Sequence, residues 1–159
     1  MAEGIIPPSV EELSQMGIEI PPEGKVVLDI YTDWCQPCKM LSPVLHGLQD
    51  EGTIQLVQAN LDEKEELAAN HHITAVPTMI FFKDGQRVGD IVGNETKDVP
   101  LKDLLEDVLC NYKFQLLHDD QPVDDLASFT LQLNSMAVKD GVMVGFSSEG
   151  QVREIIEQF

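Results

Sequence analysis

The chain has 159 residues, 43% of them hydrophobic, with 10 Lys and Arg against 28 Asp and Glu, for a formal charge of −18. That length holds one well-buried core with room for an appendage, and the charge argues against nucleic acid and anionic membranes, which are bound through Lys and Arg. No stretch approaches the ~20 apolar residues of a membrane span, and Met1-Ala2-Glu3-Gly4 lacks the basic and apolar regions of an export signal.

Three cysteines, two of them in one motif, fit a working dithiol in a reducing, cytoplasmic setting better than a secreted disulfide framework. Residues 1–8 contain Pro and Gly and are expected to be loose, with Ile5-Ile6 as a fragment of edge strand. Ser9-Val10-Glu11-Glu12 has the form of a capping box, which predicts a short helix to about Met16. Pro21-Pro22-Glu23-Gly24 is a turn.

Val26 to Tyr31 reads as a buried strand. Cys38, Leu41, Val44, Leu45 and Leu48 then recur at helical spacing as far as about Gln49, with Pro43 expected to kink the helix. The pair Cys35-Gln36-Pro37-Cys38 therefore falls at a strand-to-helix junction. A zinc site would need two more ligands at short spacing, whereas the only other cysteine is Cys110 and His71 and His72 are adjacent. A redox couple fits better. At a helix N-terminus the unpaired N–H groups favour thiolate over thiol, so Cys35 is the expected nucleophile and Cys38, one turn further in, the resolving thiol. Pro37 suits a first helical turn, where a missing N–H costs nothing. Asp29 stands inside the apolar run. Periodicity leaves it either outward-facing or buried with a raised pKa.

Ile54 to Asn60 is expected to be a central strand, and residues 63–70 a helix. His71 and His72 are read as a solvated loop. Val76-Pro77-Thr78 leads into a strand to Lys83, and Asp84-Gly85 predicts a hairpin to a second strand over Gln86 to Val92. Pro100 to Asn111 is an amphipathic helix with Leu101, Leu104, Leu105 and Val108 expected inward, and Cys110 near its end as a buried or half-buried hydrophobe or a regulatory thiol. Beyond it, Tyr112 to His118 alternates like a strand. Leu126, Phe129, Leu133 and Met136 recur at helical spacing, although residues 129–133 also alternate; the helix is favoured, ended by Asp140-Gly141. A strand over Val142 to Phe146 and a helix with Val152, Ile155, Ile156 and Phe159 on one face complete the chain.

Residues 31–43, Tyr-Thr-Asp-Trp-Cys-Gln-Pro-Cys-Lys-Met-Leu-Ser-Pro, resemble the active-site segment of thioredoxins, a family in which the Cys-x-x-Cys redox motif is well known. The likeness continues through Val76-Pro77-Thr78, Lys83-Asp84-Gly85 and Gly93. It implies an α/β thioredoxin fold, a mixed central β-sheet flanked by helices, over residues 1–111. Residues 112–159 are left as a small α/β extension that packs on the body or on a second subunit.

The resemblance further implies that Asp29 is the buried aspartate assisting Cys38. Pro77 would be the cis-proline facing the dithiol, holding Val76 open to an extended substrate, and Trp34, Gln36, Pro37, Val76, Pro77, Val92 and Gly93 would form the substrate surface. The implied activity is reduction of protein disulfides, with a flavin-dependent thioredoxin reductase as electron donor and no bound cofactor or metal. Gln36 replaces a common glycine, and Gln58 stands where the family often has lysine near the aspartate, which would raise the Asp29 pKa further. Tyr31 and Ala75 also depart from the usual residues. An adaptor or chaperone-like module, with a regulatory dithiol and a partner-binding extension, is the alternative from a different class.

Overall fold

The computed structural model describes residues 4–146 and 148–159. In chain order its elements are α1 (Val10–Gln15), β1 (Lys25–Tyr31), α2 (Gln36–Asp50), β2 (Gln55–Asn60), α3 (Glu65–His71), β3 (Thr78–Lys83), β4 (Gln86–Arg87), β5 (Ile91–Pro100), α4 (Leu101–Val108), β6 (Leu117–His118), β7 (Gln121–Pro122), a 3-10 turn (Leu126–Ser128), β8 (Thr130–Val138), β9 (Val142–Val144) and α5 (Glu149–Glu157). The chain divides into two compact units, one of residues 1–91 with 136–159 and the other of residues 92–135. The division expected at residue 111 therefore falls inside the second unit, and the last stretch of the expected extension is part of the first.

The first unit is built on a mixed sheet in the order β2-β1-β3, with β1 parallel to β2 and antiparallel to β3. The far edge of β3 is shared: β4 covers Phe82 and Lys83, and β9 covers Thr78 to Ile80. Alternation along β1 sends Val26, Leu28 and Ile30 to one apolar cluster, with Leu13, Leu67, Ile80 and Phe82. Val27 joins the other, with Leu41, Leu45, Phe81, Met143, Val152 and Ile156. The helices α1 and α3 thus cover one face, α2 and α5 the other.

Local signals account for most boundaries. The capping box forms as expected: Ser9 Oγ accepts from the Glu12 N–H at 3.1 Å, and Glu12 accepts from the Ser9 N–H at 3.2 Å. Asp84 and Gly85 have φ of +49° and +79°, the left-handed pair of a tight hairpin turn. His71 corrects the solvated-loop reading. It is buried, with Nδ1 2.8 Å from the Ile6 carbonyl and Nε2 3.4 Å from Glu12, and it ties down the N-terminal segment. Ile5 and Ile6 form no strand.

The hairpin strand expected over Gln86 to Val92 stops at Arg87. Its place on β3 is taken by β9, which arrives through a second two-residue turn. Asp140 and Gly141 have φ of +51° and +81°, and Lys139 and Val142 exchange backbone hydrogen bonds of 3.0 and 2.9 Å. Asp140-Gly141 is therefore a hairpin turn and not a helix stop.

The second unit departs furthest from expectation. The helix favoured across Leu126 to Met136 is only a 3-10 turn followed by strand β8, which pairs with β5 in a two-stranded sheet. Pairing with β5 decides for the alternation of Phe129, Leu131 and Leu133 over the helical spacing. Of the strand expected from Tyr112, only Leu117 and His118 pair, with β7. No described side chain between residues 92 and 135 is buried: Leu101, Leu104 and Leu105 are half-buried, Val108 is 68% exposed, and Cys110 is exposed.

Gly141 permits the crossing where β9 enters. A Cβ there would lie 2.5 Å from the Val88 carbonyl oxygen and against the Arg87 side chain, on backbone already at φ +81°. Gly141→Ala should therefore cost about 2–3 kcal/mol, the sum of left-handed strain and displaced backbone. Gly52→Ala, with φ +79° and open space around it, should cost only about 1–2 kcal/mol. Urea denaturation midpoints of the two variants check the difference.

Candidate dithiol site

Cys35 and Cys38 are disulfide-bonded and both are 4% exposed. Cys35 is the N-cap of α2, and its Sγ accepts the backbone N–H of Cys38 at 3.2 Å. The sulfur therefore occupies the place of a capping oxygen, aimed at the positive end of the helix, where a thiolate is favoured once the bond is reduced. Pro37 lies in the first turn, and Gln36 and Pro37 are exposed beside the pair.

Trp34 is 71% exposed, yet its indole N–H donates to Asp62 Oδ2 at 3.0 Å, which fixes the ring beside the nucleophile. Nothing local in the sequence marks Asp62 for this task. Its partner lies 28 positions away.

Asp29 is buried, at 1% exposure. It sits in register with Gln58 on β2, whose Nε2 donates to Asp29 Oδ2 at 3.1 Å, while Oδ1 has no hydrogen-bond partner among the described residues. Asp29, Gln58, Cys38, Thr32, Lys39 and Ser42 line one open cleft. Alternation explains the placement: Asp29 points to the same face of β1 as Val27, the face that α2 covers. Burial pushes the Asp29 carboxyl above the usual carboxylate range, and the Gln58 hydrogen bond and the charge of His46 pull it partly back.

The Val76–Pro77 peptide bond is cis. Because Ile30 is opposite Thr78, Pro77 lies at the end of the sheet where β1 runs on toward Cys35. Thr78 Oγ1 donates to the Ala75 carbonyl at 2.7 Å, bracing the turn. The glycine placed beside Pro77 is Gly145, whose N–H donates to the Pro77 carbonyl at 2.8 Å. Val92 and Gly93 belong to the second unit, on β5. The signal for Gly145 was present in the sequence: Lys83-Asp84-Gly85 recurs as Lys139-Asp140-Gly141, and Val-Gly follows both copies.

A dithiol that can close into a disulfide at a helix N-terminus, beside a buried carboxyl on a mixed α/β sheet, defines a thiol–disulfide oxidoreductase. A family model described as Thioredoxin matches residues 12–107. A thioredoxin of Chlamydia caviae is 41% identical over 76 residues, covering 47% of this chain and 74% of its own. One of Staphylococcus aureus is 39% identical over 77 residues, with 47% and 74% covered. Among solved structures, oxidized mitochondrial thioredoxin 3 of Saccharomyces cerevisiae is 33% identical, with 57% of this chain and 80% of that one covered and a TM-score of 0.37. The chain belongs to the thioredoxin family.

The raised Asp29 pKa has a stability consequence with a definite sign. A carboxyl that titrates higher in the folded than in the unfolded chain disfavours folding when ionised. Stability is therefore lost as pH rises from the ordinary carboxylate range through the elevated folded value. Asp29→Asn should stabilise the protein at neutral pH, and the gain should vanish below the ordinary carboxylate range. Urea midpoints of variant and wild type between acid and neutral pH check this.

Proposed function

We propose that the chain reduces protein disulfides by dithiol exchange. The observation that carries the reading is Cys35 Sγ at the N-cap of α2, bonded to Cys38 at the end of the sheet that holds cis-Pro77. In the reduced protein the Cys35 thiolate attacks a substrate disulfide, forming a mixed disulfide and releasing one substrate thiolate. Cys38 gives its proton to Asp29 across the shared cleft and attacks Cys35 Sγ, releasing the second substrate thiolate and closing the Cys35–Cys38 bond. Two electrons pass to the substrate. They are restored by a dithiol donor, for which a flavin-dependent thioredoxin reductase is the expected partner in a reducing, cytoplasmic setting.

Trp34, Gln36, Pro37, Val76 and Pro77 would form the surface that receives an extended substrate segment, pairing with backbone groups beside the cis bond. In the adaptor alternative the extension binds a partner and the dithiol is regulatory; against it stands that β9 and α5, both within that extension, complete the sheet and its cover.

Reduction of insulin by dithiothreitol tests the reading. Wild type should accelerate it catalytically and Cys35→Ser should fall to the rate of dithiothreitol alone. A wild type no faster than that rate would overturn it. Cys38→Ser should accumulate the mixed disulfide, visible as a mass adduct on Cys35. Asp29→Asn should slow its resolution by about 100-fold, the low end of what a positioned proton acceptor supplies, with the deficit shrinking as pH rises and Cys38 ionises unaided.

A further inference from the structure

The sequence pattern of the last strand end and helix of the dithiol unit occurs twice in the chain. Val92-Gly93 is followed by Leu101-Lys102-Asp103-Leu104-Leu105-Glu106, and Val144-Gly145 by Val152-Arg153-Glu154-Ile155-Ile156-Glu157. The two hexads share one pattern: apolar, basic, acidic, two apolar, Glu. Their distances from the glycine differ by a single residue. Only the second copy lies on the core. There Val152, Ile155 and Ile156 are buried, Arg153 forms a forked pair with Glu51 at 2.8 and 2.9 Å, and Lys25 Nζ donates to the Ile156 carbonyl at 2.7 Å. The first copy ends in α4, which buries no side chain. The family match nevertheless runs through that first copy, to residue 107.

We propose that these two strand–glycine–helix segments are alternative occupants of one groove, formed by the edge of β3 away from β1 and the apolar face beside it. The register supports the exchange. Arg87 is already opposite Phe82, and the Val88 N–H donates to the Phe81 carbonyl at 3.0 Å. Continuing that ladder past a one-residue bulge at Gly89-Asp90 sets Ile91 opposite Met79 and Val92 opposite Thr78, where Met143 and Val144 now lie. Gly93 then takes the place of Gly145. Leu101, Leu104 and Leu105 replace Val152, Ile155 and Ile156, and Lys102 replaces Arg153 opposite Glu51. What the first copy gives up is a two-stranded ribbon, which is marginal by itself.

The exchange changes which segment supplies the backbone beside Pro77: Val144-Gly145 with the second copy docked, where the Gly145 N–H donates to the Pro77 carbonyl, and Val92-Gly93 with the first. The exchange is measured without turnover.

The test uses the full chain carrying Ile155→Asp and Ile156→Asp, read by backbone hydrogen exchange with mass spectrometry and by urea unfolding. The expected result is a folded, cooperative protein in which protection moves from 149–157 to 101–108, the latter slowing by at least about tenfold. Adding Leu104→Asp and Leu105→Asp should abolish cooperative unfolding, whereas those two alone should leave α5 protected. Loss of cooperative unfolding in the first variant would overturn the proposal. So would a folded first variant whose residues 101–108 exchange as in wild type, or a fourfold variant as stable as the first.

Discussion

The edge of β3 away from β1 is the constraint on which the rest of the molecule depends. β3 is buried from Thr78 to Phe82, so its backbone groups on the side away from β1 must be paired. The adjoining hairpin meets that need only at Phe82 and Lys83. A strand from much later in the chain completes it, and because α5 follows β9 directly, closing the edge also covers the cluster around Phe81. The ring of Phe159 packs edge-on against Phe81 at 5.7 Å, and Lys25 Nζ lies 5.6 Å from the centroid of the Phe159 ring. The backbone beside Pro77 is thus finished by residues that a contiguous domain would not contain.

Much of the dithiol site was legible because its determinants are close in sequence. The spacing of Cys35 and Cys38, the strand before them and the helical period after them fix the junction, and the sulfur at the N-cap follows from helix geometry. Asp29 was ambiguous from periodicity because every residue around it is apolar. The two faces of β1 are both covered, so alternation leaves no trace in the composition. The bonds of Trp34 to Asp62 and of His71 to Ile6 were illegible for a different reason. They join positions whose proximity exists only once β1, β2 and α3 are assembled.

Beyond Arg87 the pattern misled in an instructive way. Hydrophobic periodicity states that a face is apolar, and leaves open which surface it meets. The stripe of α4 and the stripe of α5 carry the same message, and linear order favours the earlier one. The structure assigns the core to the later one. Leu126 to Met136 failed similarly, since a helical period and a strand alternation coexist there and the partner strand β5 settles the matter.

The pairing of β5 with β8 bears on how a fold tolerates interruption. Ile91 and Val138, at the ends of these strands nearest the sheet, belong to the same apolar cluster. Joining two ends through a long flexible loop costs entropy that grows with the logarithm of loop length. A ribbon that zips the departing and returning strands together removes most of that length from the closure. The segment between them is therefore nearly weightless in the free energy of the dithiol unit, a position where chain can be gained, lost or replaced over time while the sheet stays the same.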